Sequence, residues 1–353
     1  MGTESIEASF LSIFALISFF IFLIISKYSY KIRGGALLDK DFSKPQAFHE
    51  IPVTRSGGIA VIFSLSVFFY IYYLLYDEVL YNYISISYSV FIVGFLDDLR
   101  INIKPLSRLI IMILLLFVFI YILPIKILNV DIPFLTYLMS SHIFSSIFVL
   151  LCFLFVINGA NLIDGFNGLL TINLIIINII LAYINITNQN LEFSILIISQ
   201  IIILLTFLLF NFPNSKIFLG DSGAYTMGAL TGLNTIITNN LSPKISSFFF
   251  CTLLFYLFFE VFFSFFRKLY QKKSPIYPDN KHLHMLSFYK ISSIYGKNKG
   301  NYLNSIFINL LYLILIIPGL YLFNDPQLSR YWFFILLLVY LIIYSRLYRL
   351  TKN

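Results

Sequence analysis

Long apolar segments recur along the whole chain, and short polar segments separate them. A helix needs roughly 20 predominantly apolar residues to cross the hydrocarbon core of a bilayer. The pattern therefore predicts eleven membrane-spanning helices, of which the third and eighth are short and partly polar. The predicted spans cover, to within a few residues, 8–26, 57–76, 82–96, 106–123, 142–158, 168–186, 191–210, 222–238, 246–266, 302–323 and 331–346.

This pattern predicts an all-α, polytopic transmembrane bundle that occupies residues 1–353 as a single domain. Segment 124–141 is too polar and too interrupted by proline to be a twelfth span. The composition agrees, because 59% of the residues are hydrophobic and only 11% are charged. Soluble domains carry about 25% charged residues.

The lysines and arginines predict the orientation of the bundle. Of the 24 basic residues, 21 fall in the odd-numbered connections and the C-terminal tail. Basic residues favour the cytoplasmic side, so we expect the N-terminus outside and the C-terminus inside. The net charge of +8 then reflects membrane topology and gives no reason to expect nucleic-acid binding. The predicted cytoplasmic loops are about 27–56, 97–105, 159–167, 211–221 and 267–301.

Five unusual polar segments stand out on the predicted cytoplasmic side. Consecutive segments are separated by two spans, and this even number returns each of them to the same membrane face. The polar chemistry can therefore converge at one surface. The segments are HEIPVTRSGGIA (49–60), GFLDDLRINIKPLSR (94–108), NGANLIDGFNGL (158–169), NFPNSKIFLGDSGAYTMG (211–228) and SPIYPDNKHLHMLSF (274–288).

Asp97 and Asp98 end an apolar span as adjacent carboxylates. Like charges near a low-dielectric boundary are costly unless a cation compensates them. The pair therefore indicates metal and phosphate chemistry, and the alternative is a solvated helix end beside Arg100 and Lys104.

Segment 158–169 places Asn158, Asn161, Asp164 and Asn167 three residues apart, so they share one face of a helical turn. Side-chain amides offer both donors and an acceptor, which suits the edge of a base or a sugar. The alternative is a polar contact between two helices, for which asparagine and small residues are typical.

FLGDSG places Asp221 at the start of a predicted helix, between Gly220 and Gly223. Helix N-termini attract phosphate, but Asp221 repels it, so a bridging cation is the consistent picture. Mg²⁺ prefers oxygen ligands and commonly joins one or two carboxylates to substrate phosphates. The alternative is an aspartate that only caps the helix.

His282 and His284 form an HxH sequence in a polar loop, and Glu260 is an acid about two turns inside the ninth span. Only two other histidines exist and neither cysteine is near, so zinc is poorly supported. Contacts with a diphosphate suit the two histidines better. Intramembrane acids are expensive and usually functional, so Glu260 is expected to pair with a polar group or to mark a break in the span.

Taken together, these segments resemble the polyprenyl-phosphate N-acetylhexosamine-1-phosphate transferases of glycosyltransferase family 4. That group includes the enterobacterial-antigen and teichoic-acid initiating enzymes and the phospho-MurNAc-pentapeptide translocase. The similarity covers about residues 40–290 in the family's order. The matching strings are KPQAFHEIPVTRSGGIA, GFLDDL, NLIDGFNGL, FLGDSG and EVFFSFFRK followed by SPIYPDNKHLH.

Two departures from the family pattern matter for the substrate. The family usually has a second aspartate where this chain has Asn167, which can hydrogen-bond a base but carries no charge. The family often has a third histidine where this chain has Met285. The translocase's run of consecutive histidines is absent, which argues against a MurNAc-pentapeptide substrate.

The resemblance implies an enzyme of the bacterial inner membrane with its active site on the cytoplasmic face. It would transfer N-acetylhexosamine 1-phosphate from a UDP-sugar such as UDP-GlcNAc to undecaprenyl phosphate, release UMP and initiate a cell-envelope glycan such as lipopolysaccharide O-antigen. The implied cofactor is Mg²⁺, or Mn²⁺ in its place, and a homodimer is compatible with the sequence. The implied residues are Asp97, Asp98 and Asp164 for catalysis, Asp221 and Asp98 for the metal, and Arg55, Lys104, Asn161, Asn167, Gly220, His282 and His284 for the substrates.

We expect direct attack by the lipid phosphate, with Asp97 accepting its last proton and Asp98 supporting the metal beside Asp221. Two alternatives stay open at this point. One is a phospho-MurNAc-pentapeptide translocase. The other, more distant, is a secondary transporter, which predicts internal repeats and ionisable residues near the bilayer midplane.

Overall fold

The protein is a bundle of α-helices, seen in a computed structural model that describes residues 3–35, 37–40, 52–101, 103–123, 125–275 and 279–351. This confirms the predicted all-α, polytopic fold. In the described ranges the helices are α1 (Thr3–Tyr28), α2 (Gly57–Tyr76), α3 (Tyr81–Asp98), α4 (Pro105–Ile122), α5 (Pro133–Met139), α6 (His142–Ile163), α7 (Leu169–Thr187), α8 (Leu191–Asn211), α9 (Gly220–Leu241), α10 (Ser247–Leu253), α11 (Phe255–Tyr270), α12 (Leu283–Tyr295), α13 (Lys297–Leu322) and α14 (Pro326–Leu350).

The number of spans differs from the eleven expected. Within the described residues, eight helices are long and apolar enough to cross a membrane, or nine if α10 and α11 form one bent span. The other two predicted spans are the helices α3 and α9, which lie where the sequence placed them and are 18 and 22 residues long but less apolar than the other eight. Polar residues along these two helices, such as Asn234, form contacts inside the bundle.

The predicted span 246–266 is broken. The axes of α10 and α11 differ by 75° across Leu254, which has φ −88° and ψ 3°. The N–H of Leu257 donates to the carbonyl of Leu254 over 3.1 Å, a tight turn that interrupts the regular helical ladder. The sequence carries no proline at this position; a break in this span was one of the two expectations for Glu260, and it lies at Leu254.

Two structured pieces lie in regions predicted as loops. Helix α12 occupies part of the predicted cytoplasmic loop 267–301, and its first turn is buried. A two-residue antiparallel hairpin pairs β1 (Leu38–Asp39) with β2 (Val53–Thr54). The part of the first motif in residues 41–51 lies outside the described residues, as do residues 276–278 of the last one.

Helix α9 runs through the middle of the bundle, where amide side chains hold it against its neighbours. Asn178 on α7 donates to the hydroxyl of Thr231 over 2.9 Å and accepts from Asn234 over 2.8 Å. One helical heptad further on, Asn185 donates to Thr238 over 2.8 Å. Such bonds stabilise membrane helix pairs because the alternative is an unsatisfied polar group in hydrocarbon. The N-terminus of α9, which carries Asp221, is thereby held in a defined place.

Candidate active site

Four helix ends meet at one end of the bundle. Helices α3 and α6 end there with Asp98 and Ile163, and α4 and α9 begin there with Pro105 and Gly220. The predicted even number of spans between polar segments explains this, because each pair of crossings returns the chain to the same end.

Asp97 and Asp221 face the same guanidinium group. Nη1 of Arg108 lies 2.8 Å from Oδ2 of Asp97 and 2.8 Å from Oδ2 of Asp221. All three side chains are partly accessible, with 31% of Asp97, 18% of Asp221 and 21% of Arg108 exposed. The guanidinium of Arg108 also lies over the ring of Tyr225 at 5.9 Å. Two acids that lie 124 residues apart in the sequence therefore share one cation at an accessible surface.

Asp98 points the other way and caps helix α9. It accepts from the backbone N–H groups of Asp221 over 2.9 Å and Ser222 over 3.0 Å, and from the Ser222 hydroxyl over 2.5 Å. Its exposed fraction is 1%. A carboxylate at a helix N-terminus satisfies orphan N–H groups and interacts favourably with the helix dipole. The N–H groups at the start of α9, which were expected to attract a phosphate, thus donate to the Asp98 side chain instead.

Gly220 allows this capping contact. Its φ is +76°, and a Cβ atom there would lie 2.7 Å from each carboxylate oxygen of Asp98. From the sequence, Gly220 was expected to contact a substrate. In the structure the group that approaches is Asp98.

Arg55 sits beside these acids but is bound to the hairpin. Its Nε and Nη2 donate to Oδ2 of the buried Asp39 over 3.1 and 2.7 Å. Burial opposes the charge, but the carboxylates of Asp221 and Asp39 outweigh it and hold the pKa of Arg55 above its usual value. Strand β2 is itself bonded to the segment that leads into α9, because the N–H of Phe218 donates to the carbonyl of Thr54 over 2.8 Å.

Asp164 follows helix α6 and lies near the same acids. Burial and the carboxylates of Asp221 and Asp98 raise its pKa well above the usual value. Its side chain has no hydrogen-bond or ion-pair partner in the part of the chain that the structure describes. A half-buried acid with a raised pKa at a surface of converging helix ends is typical of a functional site.

The side-chain amide of Asn167 forms a hydrogen bond within the protein. Its Nδ2 donates to the carbonyl of Pro213 over 2.8 Å, and its backbone N–H donates to Asn301 over 2.8 Å. Asn161 is half-exposed, and Lys104 is exposed at the N-cap of α4. The substrate contacts expected for Asn161, Asn167 and Lys104 stay predictions.

His282 and His284 do not face solvent, which corrects their interpretation as groups that contact a diphosphate at this surface. Their exposed fractions are 2% and 0%. Nδ1 of His282 lies 3.1 Å from Glu260, and Nδ1 of His284 lies 3.1 Å from the hydroxyl of Tyr256. Burial lowers the pKa of His284 to about 3, so this ring is neutral at physiological pH. Glu260 has the polar partner that the sequence analysis expected.

Asp221 and Asp97 are the accessible carboxylates at this surface, whereas Asp98, the expected partner of Asp221 at a divalent cation, is buried, and binding of a cation stays a prediction. Both oxygens of Asp98 already accept hydrogen bonds, whereas Asp97 and Asp221 are accessible and face each other across Arg108. Among the described residues, no group of three or more histidine, cysteine or acidic side chains could hold a metal ion. Two carboxylates fit Mg²⁺ only in the mode in which substrate phosphates and water complete the octahedron.

Arg108 is the site residue that sequence reasoning missed. It was counted as one of the basic residues that set the topology, although it lies in the segment that contains Asp97 and Asp98. The repulsion between clustered acids was the available signal, because it requires a cation nearby.

Comparison with known proteins shows what the sequence around this site is similar to. The sequence profile described as "Glycosyl transferase family 4" matches residues 79–239, which contain Asp97, Asp98, Asp164 and Asp221. An undecaprenyl-phosphate α-N-acetylglucosaminyl 1-phosphate transferase of Thermotoga maritima is 27% identical over 332 residues, which are 93% of this chain and 92% of that protein.

Two phospho-N-acetylmuramoyl-pentapeptide transferases are similar over shorter stretches. The protein of Streptococcus thermophilus is 28% identical over 60% of this chain and 66% of its own length. The protein of Clostridium perfringens is 30% identical over 45% and 51%. This chain thus spans about half to two thirds of these translocases but nearly all of the Thermotoga protein. With its helical bundle, its converging acids and this profile match, the chain is a multi-span membrane protein that is similar to glycosyl transferase family 4 over residues 79–239.

Proposed function

We propose that this protein transfers N-acetylglucosamine 1-phosphate from UDP-N-acetylglucosamine to undecaprenyl phosphate. An oxygen of the lipid phosphate attacks the phosphorus that bears the sugar. The bond from that phosphorus to the bridging oxygen breaks, and UMP leaves. The profile match supports glycosyl transfer, and the similarity to the Thermotoga protein over nearly its whole length supports undecaprenyl phosphate as acceptor and N-acetylglucosamine 1-phosphate as the transferred group.

One observation carries the proposal: Asp97, Asp221 and Arg108 meet at an accessible surface where four helices end. Such a surface lies at the boundary between membrane and water. A lipid phosphate can reach it from the bilayer while a nucleotide sugar reaches it from solution. We place this surface on the cytoplasmic side because the basic residues collect there.

The chemistry required is mostly charge neutralisation, because an anionic nucleophile attacks an anionic diphosphate. A Mg²⁺ ion, which Asp221 would hold together with the substrate phosphates, would supply that neutralisation. The positive charge of Arg108 offsets the mutual repulsion of the two carboxylates. Its remaining N–H groups can donate hydrogen bonds to the phosphates. Arg55 adds a second fixed positive charge beside Asp221.

The pH dependence of transfer tests the proposed role of Asp97, which lies beyond the apolar stretch 82–96. Burial and the carboxylate of Asp221 raise the pKa of Asp97 to about 6, although Arg108 lowers it. Below that pH Asp97 is protonated and accepts no proton from the lipid phosphate, whose second pKa is also about 6. We therefore expect kcat to rise about tenfold per pH unit below pH 6 and to level off above about pH 7.

The variant Asp97→Asn separates the titration of Asp97 from that of the lipid phosphate. It should lose about 100-fold in kcat near pH 6 and distinctly less near pH 8.5, where the lipid phosphate is already a dianion. The same factor of loss at both pH values, measured by UMP release, contradicts proton transfer to Asp97.

The direct test supplies purified protein in vesicles with undecaprenyl phosphate, Mg²⁺ and a panel of radiolabelled UDP-sugars. We expect labelled lipid and stoichiometric UMP with UDP-N-acetylglucosamine, and little with UDP-MurNAc-pentapeptide. Labelled lipid from the pentapeptide donor alone identifies a translocase instead. UMP release without the lipid acceptor favours a covalent enzyme intermediate over direct attack. The product would begin a cell-envelope glycan.

A further inference from the structure

Glu260 is a buried acid whose partners come from two other parts of the chain. Its Oε1 accepts from the hydroxyl of Tyr340 on α14 and from the N–H of Leu283, each over 2.9 Å. Its Oε2 lies 3.1 Å from Nδ1 of His282. The exposed fractions of Glu260 and Tyr340 are 1% and 3%. The carboxylate therefore ties α14 to the first turn of α12.

The opposite edge of His282 is also fixed. Its Nε2 lies 3.3 Å from Oδ1 of Asp279, whose Oδ2 pairs with Arg267 over 3.1 Å. Because Glu260 and Arg267 both belong to α11, this chain of contacts begins and ends on one rigid helix. The imidazole has a carboxylate at each nitrogen and cannot rotate without losing one of these two contacts.

The fixed imidazole sets the position of its neighbour. The rings of His282 and His284 lie parallel, with 6° between their planes and 5.5 Å between their centres. His284 in turn meets the edge of Phe166 at 5.9 Å, and Phe288, one turn further along α12, lies 4.9 Å from the same ring. Phe166 thus packs on the first turn of α12.

Phe166 belongs to the loop that carries the proposed donor contacts, between Asp164 and Asn167. Helix α13 also binds both this loop and the first turn of α12. Asn301 on α13 accepts from the N–H of Asn167 over 2.8 Å, and Asn304 donates to the carbonyl of His284 over 2.8 Å. Loop 164–168 and the first turn of α12 are therefore both hydrogen-bonded to α13.

We propose that Tyr340 is a positioning residue for the nucleotide-sugar donor, acting through Glu260, His282 and His284 on the loop 164–168. The hydroxyl of Tyr340 holds one oxygen of Glu260, and the geometry of that carboxylate sets the plane of the two imidazoles beneath Phe166. That this loop contacts the donor rests on the proposed function.

The variant Tyr340→Phe removes the hydroxyl and keeps the ring, which packs on Phe255, Phe259 and Phe263. We expect the KM for UDP-N-acetylglucosamine to rise about three- to tenfold, as loss of one buried hydrogen bond predicts. The KM for undecaprenyl phosphate and kcat should stay within about twofold. A general loss of folded enzyme would instead lower the apparent kcat with both KM values unchanged, which overturns the proposal.

Tyr312→Phe is the matched control. Tyr312 is equally buried, and its hydroxyl donates to the carbonyl of Leu253, away from Glu260. This variant should keep the donor KM of the wild type. An equal rise in donor KM for both variants shows a nonspecific packing effect and contradicts the role of Tyr340.

Hydrogen exchange measured in detergent tests the same inference without any assay of transfer. Tyr340→Phe should speed exchange of the amides at 164–168 and at 283–286, with the rates at 217–223 unchanged. Faster exchange confined to α14 and α11 refutes coupling to the loop. If the wild type transfers no UDP-sugar, the proposed function fails, and the exchange result still decides whether Tyr340 controls this loop.

Discussion

Replacing Asp221 by asparagine should reduce transfer by at least about 100-fold while the protein stays folded and inserted. The residue is the one acid at the start of α9 whose side chain is accessible and faces both Asp97 and Arg108. Loss of one fixed electrostatic group at a reacting centre costs about 10²–10³ in kcat. An amide cannot replace the negative charge that a Mg²⁺ ion needs.

The measurement is the rate of UMP release as a function of Mg²⁺ concentration, beside a melting curve for each protein. Asp77→Asn is a suitable control, because Asp77 is exposed at the other end of α2 and has φ +52°, which asparagine adopts readily. This control should match the wild type in rate. Full activity of Asp221→Asn at limiting Mg²⁺ would exclude Asp221 as a metal ligand.

Replacing Asp98 by asparagine should also abolish transfer, but for a different reason that a melting curve reveals. Asp98 accepts three hydrogen bonds from the first turn of α9 inside the protein. In the variant an NH₂ group faces donors that it cannot satisfy, and hydrogen bonds to a charged group are worth about 1.5–3 kcal/mol. We expect a lower melting temperature together with a lost rate, in contrast to Asp221→Asn.

Gly220→Ala provides an independent route to the same defect without changing a charge. Its φ of +76° is unfavourable for alanine by about 1–2 kcal/mol, and the new Cβ would lie 2.7 Å from both oxygens of Asp98. The carboxylate must then leave the end of α9, so this variant should lose both stability and transfer. If Asp98→Asn were inactive with an unchanged melting temperature and weaker Mg²⁺ dependence, Asp98 would be a metal ligand after all.

The contrast between Asp97 and Asp98 illustrates which part of the site the sequence could predict. Two adjacent acids at the end of a helix point about 100° apart, so different roles follow from helix geometry alone. Which of them faces α9 depends on how α3 packs against it. That packing is close because Gly94 lies against the backbone of Ser222, and no local pattern specifies the facing side.

The histidines show the same division. Their place in a polar, lysine-bearing segment suggested an accessible loop. For this reason His282 and His284 were expected to contact a diphosphate. Burial under Phe166 results from contacts with Glu260, Tyr256 and α14, which lie 20 or more residues away along the chain. A short-range pattern carries no information about which distant surfaces exclude water from a side chain.

The sequence by itself determined the helical class, the places of the helices and the gathering of acids at one end of the bundle. Hydrophobic length sets the spans, and an even number of crossings returns each polar segment to one face. Only the tertiary structure decided the bend at Leu254, the sharing of Arg108 by Asp97 and Asp221, and the capping of α9 by Asp98. These features depend on the relative positions of side chains from separate helices, and those positions are set by packing across the whole bundle.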